Sequence, residues 1–350
     1  MTRKKLLIVD DSPLVRKTLL DLFKDEESVD VVGEAENGIE ALYSVSQLKP
    51  DVITMDISMP GMDGLSALKH IMIKSPTPVV MLSSLTKEGA PSTFDALRFG
   101  AVDIISKPSA IDNDGALDEQ AADILSKIEF ASQVEVGAIK YIRRKKGDAQ
   151  QNKVFSTTDV ASRVVAMGAA EGGFGALMKI IPHLNPNADT AYLVTLYAAP
   201  HHVEAFARYL DSYGELQVKS AEHDEVLRPG VCYLNSGANY MTLHRYQNEP
   251  VLHVSPAPFA SRKGSIDMML FSTADVMQEQ CMGVLLSGCG NDGVEGLEEI
   301  VRMGGNSLVQ EPSTAFCSDM INSAMMQVDI AHIENDSQIA VVLNDILAVS

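Results

Sequence analysis

The stretch VVAMGAAEGGFGAL, residues 164–177, runs from an apolar strand pattern through a glycine-rich turn into a helix pattern near Phe174. A strand, a tight turn and a helix in this order are the repeating unit of doubly wound α/β sheets. The turn presents backbone N–H groups and a side chain at one point, where these folds hold a phosphate group or a nucleophile. The residue at the apex of this turn is Ala170, whose side chain is only a methyl group.

Length and composition predict two domains and a cytoplasmic protein. The chain has 350 residues, of which 46% are hydrophobic, and a formal net charge of -19. This length is sufficient for two ordinary domains, each with its own core. The excess of acidic residues argues against nucleic-acid binding, which depends on Lys and Arg at the phosphates. Because we find no signal sequence and no apolar run of ~18 residues, we expect no membrane insertion.

The cysteines are expected to be reduced. Cys232, Cys281, Cys289 and Cys317 include no C-x-x-C pair, and no histidine stands at zinc-finger spacing. The pattern therefore predicts neither a zinc site nor a disulfide framework, and thiols that are mostly buried.

Short apolar runs alternate with amphipathic stretches in both halves of the chain. In the first half the predicted strands are KLLIVD, VDVVGEA, DVITMD, TPVVMLSS and AVDIISK, separated by helix patterns such as SPLVRKTLLDLFKDE. The rhythm restarts with RVVAMG and continues through AYLVTLY and MGVLLSG. These βα repeats indicate parallel sheets with right-handed crossovers. We therefore predict an α/β protein with two doubly wound parallel-sheet domains.

The polar, aperiodic segment GDAQQNKVFSTTDV marks the boundary between the two halves. A helix pattern precedes it, from about Gly115 to Arg144, and ends in a basic run. We predict a first domain at 1–146 with an extended last helix, a linker at 147–160 and a second domain at 161–350.

Acidic residues end two strands of the first domain. Asp10 and Asp11 follow the first strand and Asp56 ends the third, so a parallel sheet brings them together at its carboxyl edge. Their mutual repulsion requires a cation, and carboxylate oxygens favour Mg²⁺. Ser83 ends the fourth strand and Lys107 follows the fifth, where both can contact a phosphoryl group. The set predicts phosphoryl transfer to Asp56.

The motifs IVDDS, TMDISMPGMDG, MLSS and SKP, in this order and spacing, resemble those of response-regulator receiver domains over about residues 4–145. Acids and a serine at strand ends also cap helices in many folds. Five matching positions in one βα array nevertheless favour the receiver.

This resemblance implies a flavodoxin-like fold and phosphorylation of Asp56 by a sensor histidine kinase. It also implies that Asp11, Asp56 and the backbone carbonyl of Ser58 bind Mg²⁺, with Asp10 assisting through water. In place of the family's usual aromatic switch residue, three positions before the lysine, the chain has Ile104. The phosphorylation site is therefore better supported than the usual aromatic mode of signalling.

The second half resembles the CheB family of chemotaxis protein-glutamate methylesterases from about residue 161 to 345. The resemblance is carried by VVAMGAAEGG, VTLYAAP, LRPGVCYLNSG, LLSGCGNDGVEGL and GGNSLVQEPSTAF. It implies a doubly wound domain in which a Ser-His-Asp triad hydrolyses γ-glutamyl methyl esters on chemoreceptors. The family's glycine-rich turn usually reads G-A-S-T-G-G, with the serine as nucleophile, whereas this chain has G-A-A-E-G-G.

Two members of the triad are missing when the family pattern is carried over. The nucleophile falls on Ala170 and the general base on Tyr197, and only the orienting acid is kept, as Asp292. A methyl group cannot attack an ester, and a phenol with an ordinary pKa near 10 is no base at neutral pH. Loss of triad members leaves only ~10³ to 10⁴-fold acceleration over water. We therefore expect no useful esterase activity.

Other positions of the predicted pocket differ from the family in the same direction. The threonine beside the nucleophile is replaced by Glu171, a second histidine by Tyr240 and a methionine by Cys289. The glycines of the turn are interpreted as retained backbone geometry: Gly168, Gly172 and Gly173.

Two other uses of the pocket were considered. A non-standard nucleophile such as Cys289 with His201 or His202 would give an altered hydrolase, but these histidines are expected at the surface and the cysteine in the core. A phosphate or dinucleotide loop is disfavoured, because Glu171 would repel a phosphate and VTLYAAP lacks a ribose-binding acid. Ser287 and Ser236 are expected to be turn residues.

The sequence therefore predicts a phosphorylation-dependent response regulator of a chemosensory or related two-component pathway. Its methylesterase-like domain is expected to act as a non-catalytic adaptor or scaffold. The expected partners are a sensor histidine kinase and a chemoreceptor or another pathway protein. The alternative is an active protein-glutamate methylesterase or deamidase, or an altered hydrolase.

Overall fold

The structure is a computed structural model that describes residues 3–24, 26–83, 90–107, 116–134, 136, 160–186, 189–257 and 264–349. The chain divides into two compact units, Met1–Arg143 and Arg144–Ser350. The described residues include only Val160 of the predicted linker. They include only part of the predicted extended last helix. The boundaries given above for these segments stay predictions.

The first unit alternates strands and helices, as the βα pattern predicts. Its parallel sheet has the strand order β2-β1-β3-β4-β5. The described elements are β1 (Lys4–Val9), α1 (Pro13–Phe23), β2 (Val29–Ala35), α2 (Gly38–Leu48), β3 (Val52–Asp56), α3 (Gly64–Lys74), β4 (Val79–Ser83), α4 (Ala90–Arg98), β5 (Asp103–Ser106) and α5 (Ala116–Ala131).

The strand order of this sheet reverses beside β1, so the loops after β1 and β3 diverge and leave a crevice at the carboxyl edge. The loop after β3 is held close to the sheet by Gly64. A Cβ atom at Gly64 would lie 1.9 Å from the carbonyl oxygen of Asp56, so only glycine fits. Asp63 then caps α3 by accepting a hydrogen bond from the backbone N–H of Ser66.

The second unit contains a larger parallel sheet with helices and a small antiparallel sheet. Its described elements are β6 (Arg163–Ala169), α6 (Gly173–Ile180), β7 (Thr190–Leu196), α7 (Pro200–Asp211), β8 (Gln217–Ser220), β9 (Glu225–Val226), β10 (Val231–Ser236), β11 (Asn239–Tyr246), β12 (Glu249–Pro256), α8 (Ser265–Met277), β13 (Cys281–Leu285), α9 (Val294–Arg302), β14 (Asn306–Gln310), α10 (Asp319–Gln327), β15 (His332–Glu334) and α11 (Ile339–Val349).

The large sheet has the strand order β15-β14-β13-β6-β7-β10-β8, and its described pairings are all parallel. The order reverses beside β6, which again opens a crevice at the carboxyl edge. Strands β11, β12 and β9 form the antiparallel sheet. Two α/β domains with parallel sheets are thus confirmed.

Three glycines let the turn after β6 pack tightly. Gly172 has a φ of 77°, a left-handed conformation that favours glycine, and a Cβ there would lie 2.3 Å from Cβ of Phe316. A Cβ at Gly168 would lie 2.2 Å from a methyl of Ile266, and one at Gly173 would meet neighbouring side chains at less than 3 Å. The expectation that these glycines serve the backbone is consistent with this geometry.

Among the described residues, no helix has the length and apolar character needed to cross a membrane.

Candidate functional site

The carboxyl edge of the first sheet brings together the predicted phosphoryl-transfer residues. Nζ of Lys107 lies 2.9 Å from Oδ2 of Asp10 and 2.9 Å from Oδ2 of Asp56. Both aspartates are buried, and the Lys107 side chain is only 20% exposed. The backbone N–H of Ser12 also donates to Oδ1 of Asp10. Two buried carboxylates therefore share one ammonium group.

Burial and like charge oppose the ionisation of Asp56. Burial raises the pKa of Asp56, the Lys107 ammonium and the Ser58 backbone N–H lower it, and Asp10 raises it, with a net rise. Burial lowers the pKa of Lys107, but the two carboxylates outweigh this effect and leave it raised. Lys107 is therefore charged and partly neutralises the pair.

Asp11 adds a third carboxylate to this edge. One oxygen each of Asp10, Asp11 and Asp56 lies within 4.8 Å of the other two. One lysine cannot neutralise three carboxylates, and the neighbouring Arg16 is engaged by other groups, because its guanidinium binds Glu34, Glu36 and the Asp10 carbonyl. Hard oxygen donors with excess negative charge fit Mg²⁺.

Ser83 lies at the same edge of the sheet. Its hydroxyl is 2.9 Å from that of Thr93, within hydrogen-bond distance, and its carbonyl accepts the backbone N–H of Lys107. Ile104 is buried on β5, as an aliphatic residue in a strand core should be. Thr93 was not predicted from the sequence, because nothing in the α4 pattern shows that it faces β4.

In the second unit, Ala170 lies at the carboxyl edge of β6 and is buried. Its backbone N–H donates to the carbonyl of Ser287, and its carbonyl accepts the N–H of Gly173. A Cβ at Gly288 would lie 2.8 Å from the methyl of Ala170. The predicted nucleophile position is therefore part of close packing between two loops.

Tyr197 and Asp292, both predicted triad positions, are brought into contact. The hydroxyl of Tyr197 donates a short hydrogen bond to Oδ2 of Asp292. Burial raises the pKa of this phenol far above its ordinary value, and the Asp292 carboxylate raises it further. Tyr197 is therefore a neutral donor that cannot accept a proton from a nucleophile.

Asp292 also caps a helix from outside that helix. It accepts hydrogen bonds from the backbone N–H groups of Ile266 and Asp267, at 3.1 and 3.0 Å, in the first turn of α8. These donors have no partner within their own helix, and a carboxylate is favoured at this end of the dipole. The orienting acid of the family pattern thus serves the fold here.

Asp267 caps α9 in the same way. Its Oδ1 accepts the backbone N–H of Gly296 at 2.7 Å, so Asp292 caps the helix that contains Asp267, and Asp267 caps the helix that follows Asp292. Burial and the charge of Asp292 raise the pKa of Asp267 to about 6, although the backbone N–H groups of Gly296 and Gly293 lower it. The sequence did not predict this residue as part of the site, because an acid in a first helical turn is common.

Glu171 binds a backbone donor of the facing loop. Its Oε2 accepts the N–H of Cys289 at 2.9 Å, and its carbonyl accepts the hydroxyl of Ser287 at 2.6 Å. Glu171 lies just before α6, as the sequence predicted. Its carboxylate, however, contacts the loop after β13 that contains Cys289. The Ser287 hydroxyl also accepts the N–H of Cys317, which is consistent with its expected role in a turn.

The expectation of reduced cysteines is wrong for one pair. Cys289 and Cys317 form a disulfide with Cα atoms 5.5 Å apart. The residues are 28 positions apart, and neither their spacing nor their neighbours indicates the pairing. Cys232 and Cys281 are free and buried, as expected.

Two further predicted residues were located. His201 is exposed, as expected, but the surface assignment of His202 is wrong, because His202 is buried. His202 faces inward with Phe206 and Leu210, and this i, i+4, i+8 spacing could have shown it. Tyr240 is half-buried, with its hydroxyl 3.9 Å from the position of a Cβ on Gly264, beside the start of α8.

Comparisons with known proteins agree with this two-site architecture. A family model described as "CheB methylesterase" matches residues 165–343, and one described as "Response regulator receiver domain" matches residues 6–114. The CheB methylesterase catalytic domain of Thermotoga maritima has a TM-score of 0.51 and 24% identity, covering 53% of this chain and 100% of its own. At that identity the structural likeness shows the fold alone.

Relatives of similar length carry the name protein-glutamate methylesterase/protein-glutamine glutaminase. One from Archaeoglobus fulgidus is 37% identical over 328 residues, which are 92% of this chain and 91% of that protein. One from Pyrococcus abyssi is 34% identical over 322 residues, 92% of this chain and 87% of that protein. The chain therefore belongs to the CheB methylesterase family and is a response regulator with a receiver domain before its methylesterase domain.

Proposed function

We propose that the methylesterase domain of this response regulator does not hydrolyse esters and acts by binding, as a phosphorylation-dependent adaptor or scaffold. The observation that carries the proposal is the set of contacts at the predicted nucleophile position. Ala170 places a methyl group there, and Tyr197 donates its proton to Asp292 instead of accepting one. Attack on an ester carbonyl needs an oxygen or sulfur nucleophile and a base.

The neighbouring hydroxyl and thiol groups supply no substitute nucleophile. The hydroxyl of Ser287 donates to Glu171, and that of Ser265 donates to the carbonyl of Gly237. The sulfur of Cys289 is bonded to Cys317. These contacts argue against the altered hydrolase considered above, because none of Ser287, Ser265 and Cys289 is a free attacking group.

The Glu171 carboxylate is a further obstacle to ester hydrolysis. Developing negative charge on a substrate oxygen is stabilised by free backbone N–H donors in a preorganised position. The N–H of Cys289 is already bound by the Glu171 carboxylate. A substrate oxyanion would have to displace this carboxylate and remain beside its charge.

The receiver domain would supply regulation. In this proposal Asp11, Asp56 and the carbonyl of Ser58 hold Mg²⁺, and Asp10 assists through water, as the family resemblance implies. The ion would neutralise charge on a phosphoryl group being transferred to Asp56. Lys107 and Ser83 would then contact the phosphoryl oxygens. The rise in the pKa of Asp56 caused by burial would be reversed by the cation.

The proposed partners follow from the two proposed roles, phosphorylation of the receiver domain and binding by the methylesterase domain. A sensor histidine kinase would phosphorylate Asp56, and a chemoreceptor or another pathway protein would bind the methylesterase domain. Phosphorylation would change the affinity for that second partner.

Two measurements test the proposal. Incubation with a radiolabelled small phosphodonor and Mg²⁺ should label the wild type and leave Asp56→Asn unlabelled. Methanol release from methylated chemoreceptor membranes should stay at the level without enzyme, with a complete CheB methylesterase as positive control. Methanol release that is lost in Asp292→Ala would overturn the non-catalytic assignment, and equal labelling of both proteins would overturn the phosphorylation site.

A further inference from the structure

We propose a separate metal site, for a divalent transition metal ion of the zinc type, on the small antiparallel sheet of the second unit. Its ligands are His223, Asp224 and His253. One ligand atom of each residue lies within 4.8 Å of those of the other two, and all three residues are exposed. This cluster is not part of either site described above.

The backbone holds the three ligands in place. His223 and Asp224 form the turn before β9, and β9 pairs with β12, which carries His253. The N–H of Asp224 donates to the carbonyl of Leu252 at 2.9 Å, which continues this pairing into the turn. The ligands therefore come from two chain segments that are hydrogen-bonded to each other.

The ring of His223 is oriented for metal binding. Its Nδ1 lies 3.1 Å from the carbonyl oxygen of Val254, and the backbone N–H of Val254 points at the same nitrogen from 3.2 Å, so the tautomer decides which of the two bonds forms. In the tautomer that donates from Nδ1 to the carbonyl, Nε2 keeps its lone pair, and Nε2 lies 3.4 Å from Oδ1 of Asp224. A backbone hydrogen bond on one nitrogen with a metal on the other is the usual arrangement of histidine ligands.

A third histidine, His244, lies beside His253. Thr242 lies opposite His253 in the β11–β12 pairing, and His244 is two residues further along β11, on the same face. The rings of His244 and His253 have centroids 5.3 Å apart, and Nε2 of His244 is 3.0 Å from Oγ1 of Thr242.

The charge of Asp224 is available for a cation. Lys219, the lysine of the neighbouring strand β8, pairs with Glu222 and Glu225. In the described chain the ion pair formed by Asp224 is the contact with His223. Two imidazoles and a carboxylate make a donor set suited to Zn²⁺, Ni²⁺ or Cu²⁺ and unsuited to Mg²⁺.

The distances require only small movements. Zinc bonds of ~2.0–2.2 Å place tetrahedral ligand atoms roughly 3.4 Å apart. Rotation of exposed side chains closes the present separation of up to 4.8 Å. Water would fill the remaining coordination position, which leaves the ion open to a further ligand.

The test is calorimetric titration of the full chain with ZnCl₂, in non-reducing buffer with excess Mg²⁺ to occupy the carboxylate edge of the receiver. We expect one zinc ion per chain, and an affinity lowered at least ~10-fold in His223→Asn, His253→Asn and Asp224→Asn. Asn is chosen at 224 because the residue has a φ of 60°, which Asn also adopts. His332→Asn, on β15, is the matched control and should bind as the wild type does.

X-ray absorption of the zinc-loaded protein separates this site from the cysteine pair. We expect nitrogen and oxygen neighbours at ~2.0–2.1 Å and no sulfur at ~2.3 Å. Equal affinity in the wild type and His253→Asn, zinc–sulfur scattering, or no saturable binding would each overturn the proposal.

Discussion

The hydroxyl of Tyr197 and the backbone N–H of Ile266 converge on the same oxygen, Oδ2 of Asp292. The other oxygen of Asp292 accepts the N–H of Asp267. In a working triad the acid would orient an imidazole. Here it joins the end of β7 to the start of α8 and satisfies helix donors that lack partners within the helix.

Substitution Asp292→Ala should destabilise the second unit. It removes the acceptor of two helix N–H groups and of one partly buried phenol, and we expect a loss of ~2 kcal/mol or more in the free energy of unfolding. For a unit of this size that corresponds to a fall in Tm of roughly 4–8 °C. Tyr197→Phe removes the bond donated to Asp292 and the longer bond accepted from the N–H of Ser265, and it should cost about half as much because both helix N–H groups keep Asp292. Calorimetry checks both, with the exposed Asn291→Ala as control, and a Tm unchanged in Asp292→Ala would contradict the capping role.

Asp267 should make stability depend on pH. Because burial raises its pKa to about 6 in the folded state, the folded protein binds the proton more tightly than the unfolded chain. The stabilisation of the folded state by protonated Asp267 is therefore fully present below the ordinary pKa of 3.8, and it is lost as pH rises through about 6.

Asp267→Asn removes this titration and keeps an oxygen that can accept the N–H of Gly296. Between pH 4.5 and 7.5 the variant should gain on the order of 1 kcal/mol relative to wild type, an amount that allows for partial solvent screening. Urea unfolding at several pH values measures the difference. The exposed Asp275→Asn on the same helix should follow the wild type, and parallel curves for wild type and Asp267→Asn would refute the assignment.

Restoring the nucleophile alone should not restore hydrolysis. Ala170→Ser would have no base, and Ala170→Ser with Tyr197→His would still have Glu171 on the N–H of Cys289. We expect methanol release from methylated receptor only when Glu171→Thr is added to these two changes. Activity in Ala170→Ser alone would show that Tyr197 or another group can act as base.

Mg²⁺ should stabilise the first unit through its carboxylates. At a concentration tenfold above Kd the gain is about 1.4 kcal/mol, which raises Tm by a few degrees. Without Mg²⁺, Asp56→Asn should melt above the wild type, since it removes one of three crowded carboxylates. Mg²⁺ should not shift its Tm, whereas the exposed Asp30→Asn should respond as the wild type does. A Tm rise of equal size in Asp56→Asn would place the ion elsewhere.

Residues at strand ends could be predicted from the sequence, because topology alone brings them together. Asp10, Asp56 and Lys107 follow buried apolar runs, and every parallel sheet collects such positions at its carboxyl edge. Asp267 could not be found this way, because its partner Gly296 lies on another helix, 29 residues away. The disulfide between Cys289 and Cys317 could not be predicted for the same reason, because only the packing of two loops brings these cysteines together.

The reciprocal capping of α8 and α9 gives Asp292 a role that does not depend on catalysis. The acid at position 292 satisfies the N–H groups of α8 whether or not an ester is hydrolysed, so its presence alone does not identify an active enzyme. Ala170 and Tyr197, in contrast, stand at the positions where a triad needs a nucleophile and a base. A protein given a serine and a histidine at these two positions would already contain the acid of a triad, but Glu171 would still bind the N–H of Cys289.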